Sequence, residues 1–261
     1  MSYGKTIRFN KNDIKIFEVL GKFGWVREDI LQQYLGVSDD SMRWLKYRLL
    51  KHGYIEKFKV MQNIKSHIRL SKVGAELVGV KYAKNIQLST VTHDDTVVKL
   101  ALEILGVDIN SIMVESEIKQ EQASENNIKA SLNEISSNEL KKRSRQKIPD
   151  LIVGDIAYEV EITQKADFRL KNIVNFYIGS GFKEVHYYTK KSIMKRIQEL
   201  SNFNSKFIFH LLDENTGDLL AGSATNINER NVTVDINKLL NKTSGSVRDE
   251  LQLFIEANRK D

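Results

Sequence analysis

The chain has 261 residues, no Cys, one Pro and a formal net charge of +6. Without Cys there is no disulfide, no cysteine nucleophile and no zinc-thiolate centre; no apolar run is long enough to span a bilayer, and Met1-Ser2-Tyr3-Gly4-Lys5 does not open a signal peptide, so a soluble cytoplasmic protein without membrane attachment is expected. Residues 1–82 hold 16 Lys and Arg against 8 Asp and Glu, which is +8 and leaves 6 − 8 = −2 for the rest, so a polyanion-binding first half is expected beside a second half that keeps carboxylates for other use. The length allows two modest domains.

Residues 10–20 read as a helix, with Asn10 or Asn12 as N-cap and Ile14, Ile16, Phe17 and Leu20 on its apolar stripe. A short helix over 28–35 ends at Gly36, and a third over 41–52, opened by Asp39 or Asp40, stops at Gly53. Strands follow at 54–60 and 67–70, around the polar turn 62–66. Three helices and a hairpin make a winged helix, whose third helix enters the DNA major groove while the hairpin touches the backbone. On the third helix Met42, Leu45 and Leu49 face inward. Arg43, Lys46 and Tyr47 are the expected base contacts; Arg48 and Lys51, with Lys65 and His67 from the wing, are the expected phosphate contacts. Trp44 reads as packing. A solvated helix face is the competing reading for any one of these residues, and winged helices also serve as dimerisation or docking units.

Residues 83–91 read as a linker. Thr92 or His93 then opens a helix to Leu105, with Val97, Leu100, Ala101, Ile104 and Leu105 buried and His93 extending their line one turn earlier. His93 there is either a hydrogen-bonded structural group or, with Asp94, a member of a cleft. A strand is expected over 112–119, and a polar mobile loop over 120–147 that ends in Lys141, Lys142, Arg143, Arg145 and Lys147, either solvated or clamping a DNA strand.

A strand over 149–153, the turn Gly154-Asp155 and a strand over 156–163 form a hairpin that returns Asp150 toward Glu159. Period-two alternation puts Glu159, Glu161 and Thr163 on one face, which reads as a wet cleft or a metal site; Asp and Glu oxygens on adjacent strands suit Mg²⁺ or Mn²⁺, and Lys165 is placed to steady a water or a phosphate. The competing reading is a surface hairpin with solvated Glu side chains. Against it, the succession of a helix over 167–177, a strand over 184–189, a helix near 192–200 and a strand over 207–212 places the hairpin in the interior of an α/β unit. Arg169, four residues after Lys165, is a phosphate ligand or the partner of an acid. The five His are isolated in sequence, Tyr187 and Tyr188 read as packing, and no P-loop is present. Beyond Asn215 only a strand near 231–239 and a helix over 246–257 are expected.

Asp150 after Pro149, followed by Glu159 on the next strand, resembles the PD-(D/E)XK nuclease pattern, with Glu161 where that family has Lys and Lys165 as its displaced substitute. The string Glu159-Val160-Glu161-Ile162-Thr163-Gln164-Lys165, with Arg169 beyond it and His93-Asp94 at a helix start after a basic helical domain, resembles the replication-relaxation family of plasmids and conjugative elements, which includes the C-class mobilisation relaxases. The resemblance implies an α/β chain: an N-terminal winged helix over 1–82, then a restriction-endonuclease-like (PD-(D/E)XK) domain over 92–261. It implies Asp150, Glu159 and Glu161 as ligands of Mg²⁺ or Mn²⁺, catalysis by these with Lys165, and nicking of a transfer-origin or replication-origin site in double-stranded DNA. A homodimer and other relaxosome or conjugation proteins are the implied partners. The alternative is a non-catalytic replication or transcription regulator whose degenerate nuclease fold serves dimerisation or docking.

Overall fold

Asn10 opens the first helix, α1 (Lys11–Phe23), through a capping box: its side chain accepts the N–H groups of Asn12 and Asp13, and the Asp13 carboxylate accepts the N–H of Asn10. The computed structural model describes residues 8–60, 65–83, 89–131, 147–213 and 225–226, and over these the chain is mixed α/β, with helices around two sheets. Gly24, at φ 80°, ends α1 and turns the chain into β1 (Trp25–Arg27). There follow α2 (Glu28–Leu35), α3 (Asp39–Lys51), β2 (Ile55–Phe58), β3 (His67–Leu70) and α4 (Lys72–Val78). The small sheet runs β1-β3-β2 and is antiparallel throughout.

Several expectations are corrected here. Ser38, not Asp39 or Asp40, caps α3, because its hydroxyl is the group that accepts the Ser41 N–H. Ile14 is exposed, and Val19 joins Ile16 and Leu20 in the core of this half in its place. The three-residue β1 and the α4 helix went unforeseen.

The second half begins with α5 (Val91–Lys99), which continues as a π-helical turn (Leu100–Ile104). Then come β4 (Ile112–Val114), α6 (Glu115–Ser131), β5 (Leu151–Val153), β6 (Ile156–Glu161), α7 (Asp167–Gly179), β7 (Glu184–Thr189), α8 (Lys191–Leu200), β8 (Phe207–Leu211) and β9 (Thr225–Asn226). The larger sheet runs β4-β5-β6-β7-β8-β9, parallel between β6, β7 and β8 and antiparallel elsewhere. Leu100 and Ala101 cover one face beside Leu151, Val160 and Tyr188. On the other, Ile173 and Val174 of α7 and Ile197 of α8 pack against Val185, Phe207 and Phe209. β6 is therefore covered on both sides.

The expected strand over 112–119 stops at Val114. Glu117 reaches back to accept the Val114 N–H, a helix-starting contact, and residues 115–131 are helical rather than a loop. Lys141, Lys142, Arg143, Arg145 and the expectations beyond Asn215 lie outside the described residues, apart from β9.

The expected boundary at 83–91 does not divide the packing. Val98 and Ile109 belong to the core of the first half, while Leu100 and Ala101 belong to that of the second. Lys22 of α1 pairs with Glu117 of α6, and Asp95 of α5 lies against His67 and Arg27. Among the described residues no helix is long and apolar enough to cross a membrane.

Candidate functional site

Gly154, at φ 59°, closes the β5–β6 hairpin, and the register sets Leu151 opposite Tyr158. Asp150 directly precedes Leu151, and its carboxylate accepts the backbone N–H of Val160, next to Glu159. Neighbouring like charges repel, and buried charges need partners. The expected wet face is in fact dry: Glu159 is 2 % exposed and Glu161 3 %. Cover on both sides of β6 defeats the alternation rule, since every residue from Ala157 to Glu161 is buried.

Each carboxylate is met by donors from elsewhere in the chain. Lys147 Nζ lies 3.0 Å from Glu159 Oε2, and the Tyr177 hydroxyl donates to Glu159 Oε1. Asp150 Oδ2 accepts the Val160 N–H at 2.8 Å and faces His93 Nε2 at 3.2 Å. Lys165 pairs with Glu161. Tyr177 is placed by the end of α7, where Lys206 Nζ donates to the carbonyls of Tyr177 at 2.8 Å and Ser180 at 2.7 Å.

Burial opposes the imidazolium of His93, yet Asp150 on one ring nitrogen and Asp94 on the other outweigh it and lift its pKa to about 10. Burial likewise works against the ionised Asp150, but His93, Lys147 and the Val160 N–H hold its carboxyl below the usual range. Burial pushes Glu159 up to about 8, and the charge of Asp150 adds to this against the pull of Lys147 and Tyr177. Lys147 is raised because Glu159 and Asp150 overcome its desolvation. The result is one ionised and one proton-holding carboxyl, side by side within the field of a common lysine.

The donor chemistry of the pair fits a hard divalent cation: oxygens only, from two strands, each carboxyl raising the charge problem of the other. The Tyr187 hydroxyl, on β7 beside Glu159, adds a buried polar atom that has no hydrogen-bond partner among the described residues. The full expected ligand set fits less well. Among the described residues no three Asp, Glu, His or Cys side chains gather around one point, so Glu161 stands apart with Lys165 rather than completing a triad with Asp150 and Glu159. A cleft of about 160 Å³ opens next to Asp150 and His93, and residues of both halves wall it, including Lys22, Phe23 and Trp25 of the first and Val114, Glu115 and Ser116 of the second.

His93 and Asp94 thus join the site through Asp150. Lys147 and Tyr177 were missed as site residues; Lys147 was submerged in a charge run, and no sequence signal marks Tyr177, which arrives from the far end of α7. Arg169 is exposed on the first turn of α7. His186 and His210, isolated in sequence, meet across β7 and β8 with Nδ1 and Nε2 2.9 Å apart, and Glu184 lies 2.8 Å from the other nitrogen of His186. Burial and the neighbouring His186 lower His210 to about 4.

In the first half, Arg43, Tyr47 and Lys51 point outward on α3, and Lys65 is exposed, 3.3 Å from Asp29. Three other expected contacts are turned inward. Lys46 pairs with Glu28, and burial pushes its ammonium pKa down. Arg48 pairs with the buried Asp13 and donates to the Arg8 carbonyl. His67 is fully buried, with Nε2 3.1 Å from Asp95 Oδ1, and so cannot reach a phosphate. Trp44, expected to pack, is exposed. No family model, curated protein or solved structure matches this chain.

Proposed function

We propose that the chain is a DNA-processing protein, a winged helix joined to a PD-(D/E)XK-like nuclease domain of the replication-relaxation kind. It binds duplex DNA with its first half and nicks a phosphodiester at the Asp150–Glu159 site. One observation carries this reading: Asp150, directly before β5, and Glu159 of β6 are two buried carboxyls whose charges bear on each other and on Lys147. An apolar pair would serve the fold as well or better, so a buried acidic pair with divergent proton affinities points to chemistry.

Mg²⁺ or Mn²⁺ would be held by Asp150 and Glu159 and would supply charge to the phosphate and acidity to a bound water. The other tasks fall to the chain. His93 keeps Asp150 ionised, and Tyr177 fixes the Glu159 rotamer. Glu159, with its pKa near neutrality, can give or take a proton. Lys165, once parted from Glu161, brings an ammonium to the phosphate, and Arg169 and Lys65 meet the backbone. Transfer-origin or replication-origin DNA is the corresponding partner.

The pairing of each carboxylate with a donor of the chain favours a second reading, a DNA-binding regulator in which these pairs only pin β5, β6 and α7. A supercoiled plasmid carrying the DNA that flanks the gene for this chain separates the two. Nicking that requires Mg²⁺ or Mn²⁺ supports the enzyme. Duplex binding with neither ion binding nor nicking supports the regulator.

A further inference from the structure

The α3 helix turns two large aromatic rings to the outside, Trp44 at 57 % exposure and Tyr47 at 61 %. Three residues apart, they share a face with Arg43 and Lys51. Neighbouring exposed aromatics flanked by cations form a surface that gains free energy when covered. The guanidinium of Arg48 lies over the Trp44 ring, 4.8 Å from its centroid, and Lys51 Nζ lies 5.7 Å from that of Tyr47. Arg48 is itself tied to the buried Asp13 and to the Arg8 carbonyl, so it acts as a strut for the ring and not as a free cation.

We infer that Trp44 and Tyr47 are the principal non-ionic contacts of α3 with duplex DNA, packing against base edges and thymine methyls of the major groove while Arg43 and Lys51 meet phosphates. The inference rests on the DNA-binding reading above and assigns its contact residues. A ring backed by an anchored guanidinium loses little freedom on binding. The occupant follows from charge and shape together. The first half carries +8, its exposed α3 cations flank flat apolar rings, and duplex DNA offers phosphates beside thymine methyls in its major groove. Affinity should then come from packing as much as from counterion release, because Lys46 and Arg48 are committed within the protein.

The chain has two Trp, and Trp25 is buried, so the emission open to acrylamide belongs to Trp44. The full-length chain is titrated with a short fluorescein-labelled alternating dA·dT duplex, and a Trp44→Phe chain supplies the Trp25 baseline. Saturating duplex is expected to cut acrylamide quenching of Trp44 severalfold. Trp44→Ala and Tyr47→Ala should each weaken binding about tenfold with an unchanged salt slope, whereas Arg43→Ala lowers that slope by about one. Replacing thymine by uracil should weaken wild-type binding and leave a chain with both Trp44→Ala and Tyr47→Ala indifferent. Both rings lie outside the core, so unchanged melting of these variants excludes loss of fold. Tight duplex binding with Trp44 still open to quencher, or unimpaired binding by both alanine variants, overturns the inference and leaves the DNA-binding reading standing. Protection of Trp44 by rising protein concentration alone would make this face a contact between two copies of the chain and would also overturn it. No duplex binding even at low salt overturns both.

Discussion

α3 and β6 both mix charged with apolar residues, and the fold treats them in opposite ways. α3 is covered on one side only; its period buries Met42, Leu45 and Leu49 and leaves Arg43, Trp44 and Tyr47 in water. β6 is covered on both sides, so its alternation sorts Glu159 and Glu161 from Tyr158 and Val160 without leaving either set exposed. A half-covered element can discard its charges into solvent. A fully covered one must neutralise each where it stands, and β6 does so with Lys147, Tyr177 and Lys165. The outward charge of α3 is thus adjustable, whereas charge on β6 is bound to the fold.

The sharpest way to break that contrast is at the acids themselves. Asp150→Ala and Glu159→Gln are expected to reduce metal-dependent plasmid nicking to background while duplex affinity, read by anisotropy, stays near wild type. Lost DNA binding in either variant would mean that these groups hold the first half in place.

Next in size is Lys147→Met, which strips the buried Glu159 of its cation. Glu159 then keeps its proton to higher pH, and the lost hydrogen-bond partner should cost about 1–3 kcal/mol, read from urea unfolding. Lys165→Met, at the margin of the same strand, should cost less; equal losses would mean that Glu161 is as deeply committed as Glu159.

The response to pH is graded. His93, lifted from 6.5 to about 10, and Glu159, lifted from 4.5 to about 8, hold protons in the fold that the unfolded chain has released. Their contributions are complete below the unfolded values and vanish as pH rises through the folded ones, so the melting temperature should fall between pH 4.5 and 10. The slope is at most about 1.4 kcal/mol per pH unit for each proton, and His93→Gln should flatten its alkaline part. Asp150 has the opposite sense: its contribution is lost only as pH falls from 3.8 through its lower folded value. Divalent-ion binding should tighten as pH rises through about 8, where Glu159 releases its proton.

Arg43→Ala should do least to the fold. Its pair with Asp40 is exposed at both ends, and stability should move by less than about 0.5 kcal/mol. A larger loss would show that Arg43, like Arg48, carries structural charge.

Periodicity and turn chemistry carried what they encode. The span of α2, the strands β3 and β7, the inward stripe of α3 and the Gly154 turn of the hairpin were all legible. β1 has three residues, too few for a period to register. The strand expected over 112–119 failed because one side chain, Glu117, starts a helix there. At the candidate site, the nearness of Asp150 to Glu159 was legible because a tight hairpin joins them. Lys147 and Tyr177 were not, since no local pattern records which distant side chain will neutralise a buried acid. His67 misled for the same reason: its place beside an exposed turn suggested solvent, but Asp95, 28 residues on, draws it inside.

Three consecutive residues of α5 take orders from different quarters. His93 holds Asp150 of the large sheet, Asp94 holds His93, and Asp95 holds His67 and Arg27 of the small one. A helix fastened to both sheets in adjacent residues cannot let one melt while the other stays intact, so calorimetry should record a single endotherm with matching van't Hoff and calorimetric enthalpies. Scission within 83–91 would accordingly yield not two modules but two partners that recover their structure only when mixed, with α5 as the shared keel.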